Sequence, residues 1–212
     1  MSIKRLGPGD DELCRQAAIL HIASIHHGLL PLLGDRFLAK LYLHIAAAPE
    51  AGVWALADGE RLVGFIAGCA SIPNTFRWVL LQYGFALAWA AGPTLLRPSV
   101  LARLYSILAY PFRRRDPRAE IPALEAELLA IAIDAKEYGQ GHGKKLIQAF
   151  EASLREWNVR AYRVLTNAAD RESNAFYRAI GFTPAGTVRH HALTLQVYEK
   201  MIGASASACV FP

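Results

Sequence analysis

Three glycines that alternate with other residues place the strongest constraint on how this chain folds. They form the run Gly139-Gln-Gly-His-Gly143, which follows an apolar segment at 128–133 and precedes a helical pattern from about Lys144. Glycine lets the backbone turn sharply and approach a ligand closely, and the first turn of a helix leaves N–H groups unpaired. With Lys144 and Lys145, the run predicts a strand-turn-helix unit that binds phosphate. A glycine-rich connection without a ligand is the alternative.

Two other phosphate-binding motifs have a different spacing. The dinucleotide fingerprint is Gly-x-Gly-x-x-Gly directly after a strand, whereas here the spacing is Gly-x-Gly-x-Gly and residues 134–138 intervene. A P-loop needs Ser or Thr after its Gly-Lys pair, whereas Lys145 follows Gly143-Lys144. Both departures argue against these motifs, and a nucleotide-binding oxidoreductase is kept only as a third hypothesis.

The rest of the chain has the periodicity of one mixed α/β domain over residues 1–202. The Asp58-Gly59 step predicts a hairpin. An insertion at 73–122 holds two apolar helical segments, 78–91 and 99–110, and the tail 203–212 has the composition of a flexible segment. The predicted strands are 3–6, 53–57, 62–67, 128–133, 162–166 and 195–201; the predicted helices run from Asp10 or Asp11 toward His26, from about 35 to 48, from 144 to 157 and from 170 to 180.

Composition excludes several classes of protein. Apolar residues make up 53% of the 212-residue chain and charged residues 19%, which is typical of a folded domain. The net charge of +5 suits an anionic ligand, but apart from Arg113–Arg115 the basic residues are scattered, so nucleic-acid binding is not expected. Three widely spaced cysteines predict neither a disulfide framework nor a metal site. No signal peptide or membrane span of ~20 apolar residues is found, so a cytoplasmic location is expected.

Two motifs together resemble those of the GNAT acetyltransferase superfamily. Residues 138–143 match Arg/Gln-x-x-Gly-x-Gly/Ala at both glycines, with Tyr138 where Arg or Gln is usual. Residues 170–182 match Asn-x-x-Ala-x-x-Phe-Tyr-x-x-x-Gly-Phe, with Asp170 and Ser173 replacing Asn and Ala. The resemblance covers 124–202 well and 1–70 by element order, but not 73–122. It implies a GNAT-like α/β fold whose mixed central sheet is splayed open, with 73–122 as a helical insertion.

The resemblance also implies an activity and a binding site. Acetyl-CoA would be the co-substrate, with no metal, and an amine would attack its thioester directly. The helix N-terminus after the glycines would bind the pyrophosphate, and the strand backbone would pair with the pantetheine amides. A turn-forming role is the alternative for Asn167. The expected coenzyme-binding residues are Ile131, Ile133, Tyr138, Gly139, Gln140, Gly141, His142, Gly143, Lys144, Asn167 and Asp170.

Two residues are candidates for proton transfer. The resemblance places Tyr177 beside the sulfur, where a phenol can protonate the departing thiolate; a packed core tyrosine is the alternative. Period-two alternation places Glu127 on the face of Leu129, Ile131 and Ile133, where an apolar setting would raise the pKa of a carboxylate base. An exposed glutamate without a catalytic role is as consistent with the pattern. Glu125, the histidines at 26, 27, 190 and 191, or water could take its place.

The acceptor is not identified by any motif. An amino sugar or another small amine is favoured, and a non-catalytic acyl-CoA sensor with the same fold is the alternative function. The insertion is rich in aromatic residues. It could extend the core, form a homodimer contact, cover the acceptor, or contact a membrane surface through 76–115.

Overall fold

A computed structural model of the chain describes residues 1–25, 30–92, 124–190 and 193–203. These ranges contain seven strands and five α-helices. The strands are β1 (Ser2–Arg5), β2 (Ala51–Asp58), β3 (Arg61–Cys69), β4 (Glu127–Ile133), β5 (Ala161–Asn167), β6 (Thr183–His190) and β7 (Leu193–Met201). The helices are α1 (Asp11–Ser24), α2 (Asp35–Ala47), α3 (Ile72–Ala91), α4 (His142–Glu156) and α5 (Arg171–Ala179).

The strands form one mixed sheet in the order β1-β2-β3-β4-β5-β7-β6. All neighbours are antiparallel except β4 and β5, which are parallel. These two strands pair only where Glu127 meets Arg163 and Leu128 meets Val164. Beyond that point they diverge, which leaves a wedge-shaped gap that widens toward Ile133 and Asn167. The prediction of a splayed mixed α/β sheet is confirmed.

Two apolar cores lie on opposite faces of the sheet. Alternate residues of the central strands enter different cores: Phe65 packs with Leu38 and Leu41 in the α1–α3 core, whereas Ile66 packs with Phe150 in the α4–α5 core. Because successive side chains of a strand point to opposite faces, α1, α2 and α3 cover one face of the sheet, and α4 and α5 cover the other. The gap between β4 and β5 lies between these two layers.

A β-bulge in β4 overturns one prediction about its faces. Ala67 of β3 pairs with Ala130 and Gly68 pairs with Leu128, so Leu129 is an extra residue in the ladder. Leu129 packs against the α1–α3 core, whereas Ile131 and Ile133 pack against the α4–α5 core. The expectation that Glu127 and Leu129 share one face with both isoleucines is therefore wrong, because the bulge shifts the alternation by one residue.

The first insertion helix is longer than the predicted segment 78–91. Helix α3 begins at Ile72, because the Ser71 hydroxyl accepts a hydrogen bond from the Asn74 N–H at 3.5 Å and Pro73 fits the first turn. Its buried side adds Val79 and Leu87 to the α1–α3 core. A stripe on its other side is exposed: Leu81 (73%), Phe85 (97%) and Trp89 (89%).

Some predictions fall outside the described residues, and one strand was not predicted. The segment 99–110, Arg113–Arg115, Cys209 and nearly all of the tail belong to the undescribed ranges 93–123 and 204–212. Strand β6, which pairs with β7, has no counterpart among the predicted elements. No helix within the described ranges is both long and apolar enough to cross a lipid bilayer.

Candidate functional site

A cavity of about 830 Å³ occupies the gap between β4 and β5. It reaches both faces of the sheet, because its walls come from both helical layers. On one side the lining includes the glycine-rich turn and α5, and on the other it includes the end of α1. The strands contribute residues 128–133 of β4, residues 164–167 of β5, and Leu193 and Leu195 of β7. Within the described ranges, no group of three or more His, Cys, Asp or Glu side chains is arranged to hold a metal ion.

The glycine-rich turn leaves the N-terminus of α4 open. Gly139 and Gly141 have φ angles of +78° and +75°, a backbone region that other L-residues rarely adopt. A Cβ atom added at either would meet no atom within 4 Å. Gly141 is the N-cap residue of α4, and no side chain caps this end. The first-turn N–H groups and the positive end of the helix dipole can therefore bind an anion, and Lys144 lines the same space.

Gly143 contributes to the turn in a different way. A Cβ atom there would lie 2.9 Å from the far end of the Phe176 ring. This glycine therefore allows close contact between the first turn of α4 and helix α5.

An ion-pair network that was not predicted braces the loop before the glycines. Arg61 of the β2–β3 hairpin donates to Asp134 at 2.8 Å and contacts Glu137 at 3.3 Å. The Gln140 amide donates to Glu137 at 2.9 Å, so the Gln140 side chain contacts the loop itself. The Lys136 N–H and then Arg61 hold the pKa of Asp134 below its usual range. The acidic residues before the glycine-rich turn could have indicated an ion pair at this loop. Nothing in the sequence identified Arg61 as their partner.

Tyr138 and His142 also line the cavity, in different environments. Tyr138 is 57% exposed. His142, the first residue of α4, is buried, and neither of its ring nitrogens has a hydrogen-bond partner among the described residues. Of the residues predicted to form the coenzyme cradle, 138–144, all except Gln140 line one end of the cavity.

The turn from β5 to α5 is held by its own side chains. The Asn167 Oδ1 atom accepts from the Ala169 N–H at 3.0 Å, which is the turn-forming role given as its alternative. Asp170 caps α5, accepting from the Ser173 N–H at 3.1 Å and from the Ser173 hydroxyl at 2.6 Å. Asn167 and Asp170 both line the cavity.

Asn174 ties this turn to the sheet, a role that was not predicted. It is buried on α5, and its Nδ2 donates to the Asn167 carbonyl at 2.9 Å and to the Asp170 carbonyl. Its Oδ1 accepts from the Tyr198 hydroxyl at 3.0 Å. An asparagine within an amphipathic helix was the signal that could have indicated this clamp.

Tyr177 lies in the cavity wall with its ring buried. It is 5% exposed, and the rings of Phe176 and Phe182 are centred 5.3 and 5.4 Å away. Burial, and then the charge of Asp170, raises the pKa of Tyr177, so the phenol stays protonated at neutral pH. Its hydroxyl forms no hydrogen bond with the described residues. This environment is consistent with both hypotheses for Tyr177, a proton donor and a packed core tyrosine.

Glu127 and Glu125 lie at the closed end of the wedge and outside the cavity lining. Arg163 Nε donates to Glu127 Oε2 at 2.8 Å. Burial raises the pKa of Glu127, and the Arg163 charge opposes that effect. Glu125 is exposed and accepts from the Ser71 hydroxyl at 3.1 Å. The side chains of the four histidines proposed as alternatives, at 26, 27, 190 and 191, lie outside the described part of the structure.

His21, near the C-terminus of α1, lines the cavity although it was not predicted. It is 3% exposed, and its Nδ1 atom is 2.5 Å from the Tyr42 hydroxyl. Burial lowers the pKa of His21 to about 4, so the ring is neutral at neutral pH. Its position on the buried side of α1 with Cys14, Ala17 and Ala18 gave only the pattern of a core residue.

Comparison with known proteins gives the same fold. The E. coli ribosomal-protein-S18-alanine N-acetyltransferase superposes with a TM-score of 0.55 at 14% identity, over 99% of both chains. An aminoglycoside 6'-acetyltransferase type Ii gives 0.61 at 14% identity, over 97% of this chain and 99% of that one. An aminoglycoside 6'-N-acetyltransferase complexed with coenzyme A gives 0.57 at 12%, with the same coverage.

At these low identities the superpositions show a shared fold alone, and the family follows from the sequence. No curated protein matches the chain. Residues 22–182, well over half of the chain, match the model of the Acetyltransferase (GNAT) family. With the splayed sheet and the open helix N-terminus at its gap, this match shows that the chain belongs to the GNAT acetyltransferase family.

Proposed function

We propose that the protein is an N-acetyltransferase that uses acetyl-CoA to acetylate a primary amine of a small molecule. The observation that carries this proposal is a single cavity that joins three features: the uncapped N-terminus of α4, the unpaired edge of β4 and the phenol of Tyr177. The cytoplasmic location expected from the sequence is part of the same proposal.

The glycine-rich end of the cavity fits a pyrophosphate. The N–H groups of the first turn of α4 have no side-chain partner, and the space above Gly139 and Gly141 is open. Lys144 adds a positive charge. Anions are favoured at such a helix end by the dipole and by the unpaired donors. Asn167 and Asp170 would shape this end through the turn and the cap that they form.

The unpaired edge of β4 fits the pantetheine arm. From Leu129 to Ile133, β4 faces β5 without ladder pairs. Buried backbone N–H and C=O groups need partners, and an extended chain of amides can pair with a strand edge as an added strand does. The backbone of Ile131 and Ile133 lies within this edge, consistent with their expected role.

The transfer itself needs a nucleophile, a proton acceptor and a proton donor. Acetyl-CoA supplies the thioester carbonyl carbon that the amine attacks. Tyr177 would donate a proton to the departing sulfur, and its raised pKa keeps that proton in place. For Glu127 to accept the amine proton, its carboxylate would have to act through water, because Arg163 occupies one oxygen and the side chain lies outside the cavity lining.

Two measurements on the purified protein test the proposal. Calorimetry should show binding of acetyl-CoA and coenzyme A but not of NAD. A panel of primary amines should then release free thiol from acetyl-CoA faster than its background hydrolysis. Binding without thiol release from any amine would favour the sensor alternative, and a lack of binding would contradict both.

A further inference from the structure

The cavity has a second end, on the face of the sheet opposite the coenzyme cradle. Helix α1 and the chain that follows it contribute His21, Ser24, Ile25 and Leu30 to this end. The carboxylates in the lining (Glu137, Asp170 and Glu172) lie at the cradle and α5 side, so within the described ranges no Asp or Glu lines the α1 end. A coenzyme held at the cradle would leave this end to the acceptor substrate.

The environment of Tyr42 determines which nitrogen of His21 carries the proton. Tyr42 is 2% exposed, and its hydroxyl has one hydrogen-bond partner in the described ranges, His21 Nδ1. A buried O–H group needs an acceptor, so Nδ1 must accept and be unprotonated. A neutral imidazole has one N–H, which then lies on Nε2. This nitrogen has no partner among the described residues.

The surroundings of His21 keep the ring neutral and fixed. The Tyr42 and Phe65 rings lie 6.0 and 6.5 Å from it, and burial is the only cause of its lowered pKa. The titratable group that faces it is Tyr42, from α2, while β3 presents the phenyl ring of Phe65. A neutral imidazole donates a hydrogen bond without adding a charge, so it distinguishes an oxygen acceptor from an ammonium group.

We infer that His21 selects the acceptor substrate by donating its Nε2–H to an oxygen beside the reacting amine. The substrate class that this end fits is a primary amine that carries a neighbouring carbonyl or carboxylate and an apolar group. Ile25 and Leu30 would contact the apolar group. A polyamine or another polycation fits less well, because the described lining of this end offers it no carboxylate. Tyr42 is a positioning residue that acts through the tautomer of His21. The inference rests on the proposed transferase function.

The tautomer can be measured without any substrate. Two-bond ¹H–¹⁵N correlation spectra of ¹⁵N-histidine-labelled protein distinguish the Nε2–H form from the Nδ1–H form, with His21→Phe used to assign the signal. We expect the Nε2–H tautomer at pH 7 in the wild type, and a mixture of both tautomers in Tyr42→Phe. A dominant Nδ1–H form in the wild type would overturn the inference.

A matched pair of amines tests substrate selection. Leucinamide and 3-methylbutylamine share the amine and the isobutyl group, but only leucinamide has a carbonyl. The two amines have different pKa values, so their rates cannot be compared directly. The informative quantity is how the ratio of their kcat/KM values changes between variants. Each rate is measured as thiol release from acetyl-CoA. His21→Phe should lower the leucinamide to 3-methylbutylamine ratio about 3- to 10-fold, as expected for one lost hydrogen bond. His21→Gln, which keeps a donor, should restore part of the ratio.

The possible failures can be told apart by measuring acetyl-CoA affinity in each variant. If the wild type does not bind acetyl-CoA, the proposed function fails while the tautomer measurement still stands. An unchanged ratio in a His21→Phe protein that binds acetyl-CoA normally would refute the selection role, as would turnover of spermidine but not of leucinamide by the wild type. If His21→Phe does not fold, the ratio in Tyr42→Phe decides, and an unchanged ratio there counts against the inference.

Discussion

Gly141 offers the sharpest test of the coenzyme cradle, because strain and obstruction can be separated at this position. Its φ of +75° disfavours alanine, while a Cβ atom there would meet no protein atom within 4 Å. Asparagine tolerates the left-handed region better than alanine does. Gly141→Ala therefore adds strain with a small side chain, whereas Gly141→Asn adds less strain with a larger one.

The expected magnitudes differ between stability and binding. The left-handed conformation should reduce the free energy of unfolding of Gly141→Ala by about 1–2 kcal/mol, with a smaller reduction for Gly141→Asn. A phosphate that loses one charge-assisted hydrogen bond from the helix N-terminus loses about 1.5–3 kcal/mol of binding free energy. The Kd for acetyl-CoA should therefore rise on the order of 10- to 100-fold, and more for asparagine than for alanine.

Urea unfolding and calorimetry with acetyl-CoA measure the two effects. Gly59→Ala is the matched control, because Gly59 has a φ of +61° with open space around it but lies outside the cavity lining. It should lose stability and keep its coenzyme affinity. If Gly141→Asn binds acetyl-CoA as tightly as the wild type, the anion site does not lie at the N-terminus of α4.

Four further predictions follow from other contacts. Tyr177→Phe should lower kcat by roughly 10²- to 10⁴-fold with little change in coenzyme affinity; an unchanged kcat would assign the residue to packing. Asn174→Ala removes three hydrogen bonds and should cost about 2–3 kcal/mol of unfolding free energy in urea titrations. The pKa of His21 falls to about 4 on folding. The neutral ring therefore makes its full contribution to the free energy of unfolding above about pH 6.5, and this contribution is lost as the pH drops toward 4. His21→Gln should accordingly show a weaker loss of stability between pH 7 and 4.5. Phe85→Ser combined with Trp89→Ser should halve the mass in light scattering if the exposed stripe of α3 forms a homodimer contact, one of the alternatives for the insertion, and an unchanged mass would exclude that contact.

Local patterns determined most of the fold in advance. The Asp58-Gly59 turn predicts the β2–β3 hairpin, and the apolar stripe of Leu146, Phe150 and Leu154 predicts α4; both elements are present. Strand β6 was missed because residues 183–190 include Pro184 and Gly186 and lack a run of alternating apolar residues. Its place at the sheet edge depends on pairing with β7, which is a tertiary effect.

The site was predictable where it depends on backbone conformation. The positive φ angles of Gly139 and Gly141 occur within the glycine run, so the open turn before α4 could be placed from the sequence. Arg61 and His21 were not given roles, because each contacts a partner distant in the chain. Asn174 was also missed, and its hydrogen bond from Tyr198 spans 24 residues. For example, the contact between His21 and Tyr42 joins helices α1 and α2. The periodicity of α1 indicates that His21 lies on its buried side, but it does not indicate that this side borders a cavity.

The closed end of the wedge explains how one sheet can hold a cavity that reaches both of its faces. Arg163 links β5 to β4 twice, through its N–H to the Ala126 carbonyl at 3.0 Å and through its side chain to Glu127 at 2.8 Å. One residue beyond the last ladder pair, the bulge at Leu129 increases the local twist of β4, as bulges do, and the two strands separate. This partly buried ion pair therefore holds the strands together where the gap begins. Removing the Glu127 carboxylate would weaken this link, because Arg163 would lose a charge-assisted hydrogen bond. Glu127→Gln should accordingly change the unfolding free energy as well as turnover, whereas a glutamate acting only as a base would affect turnover alone.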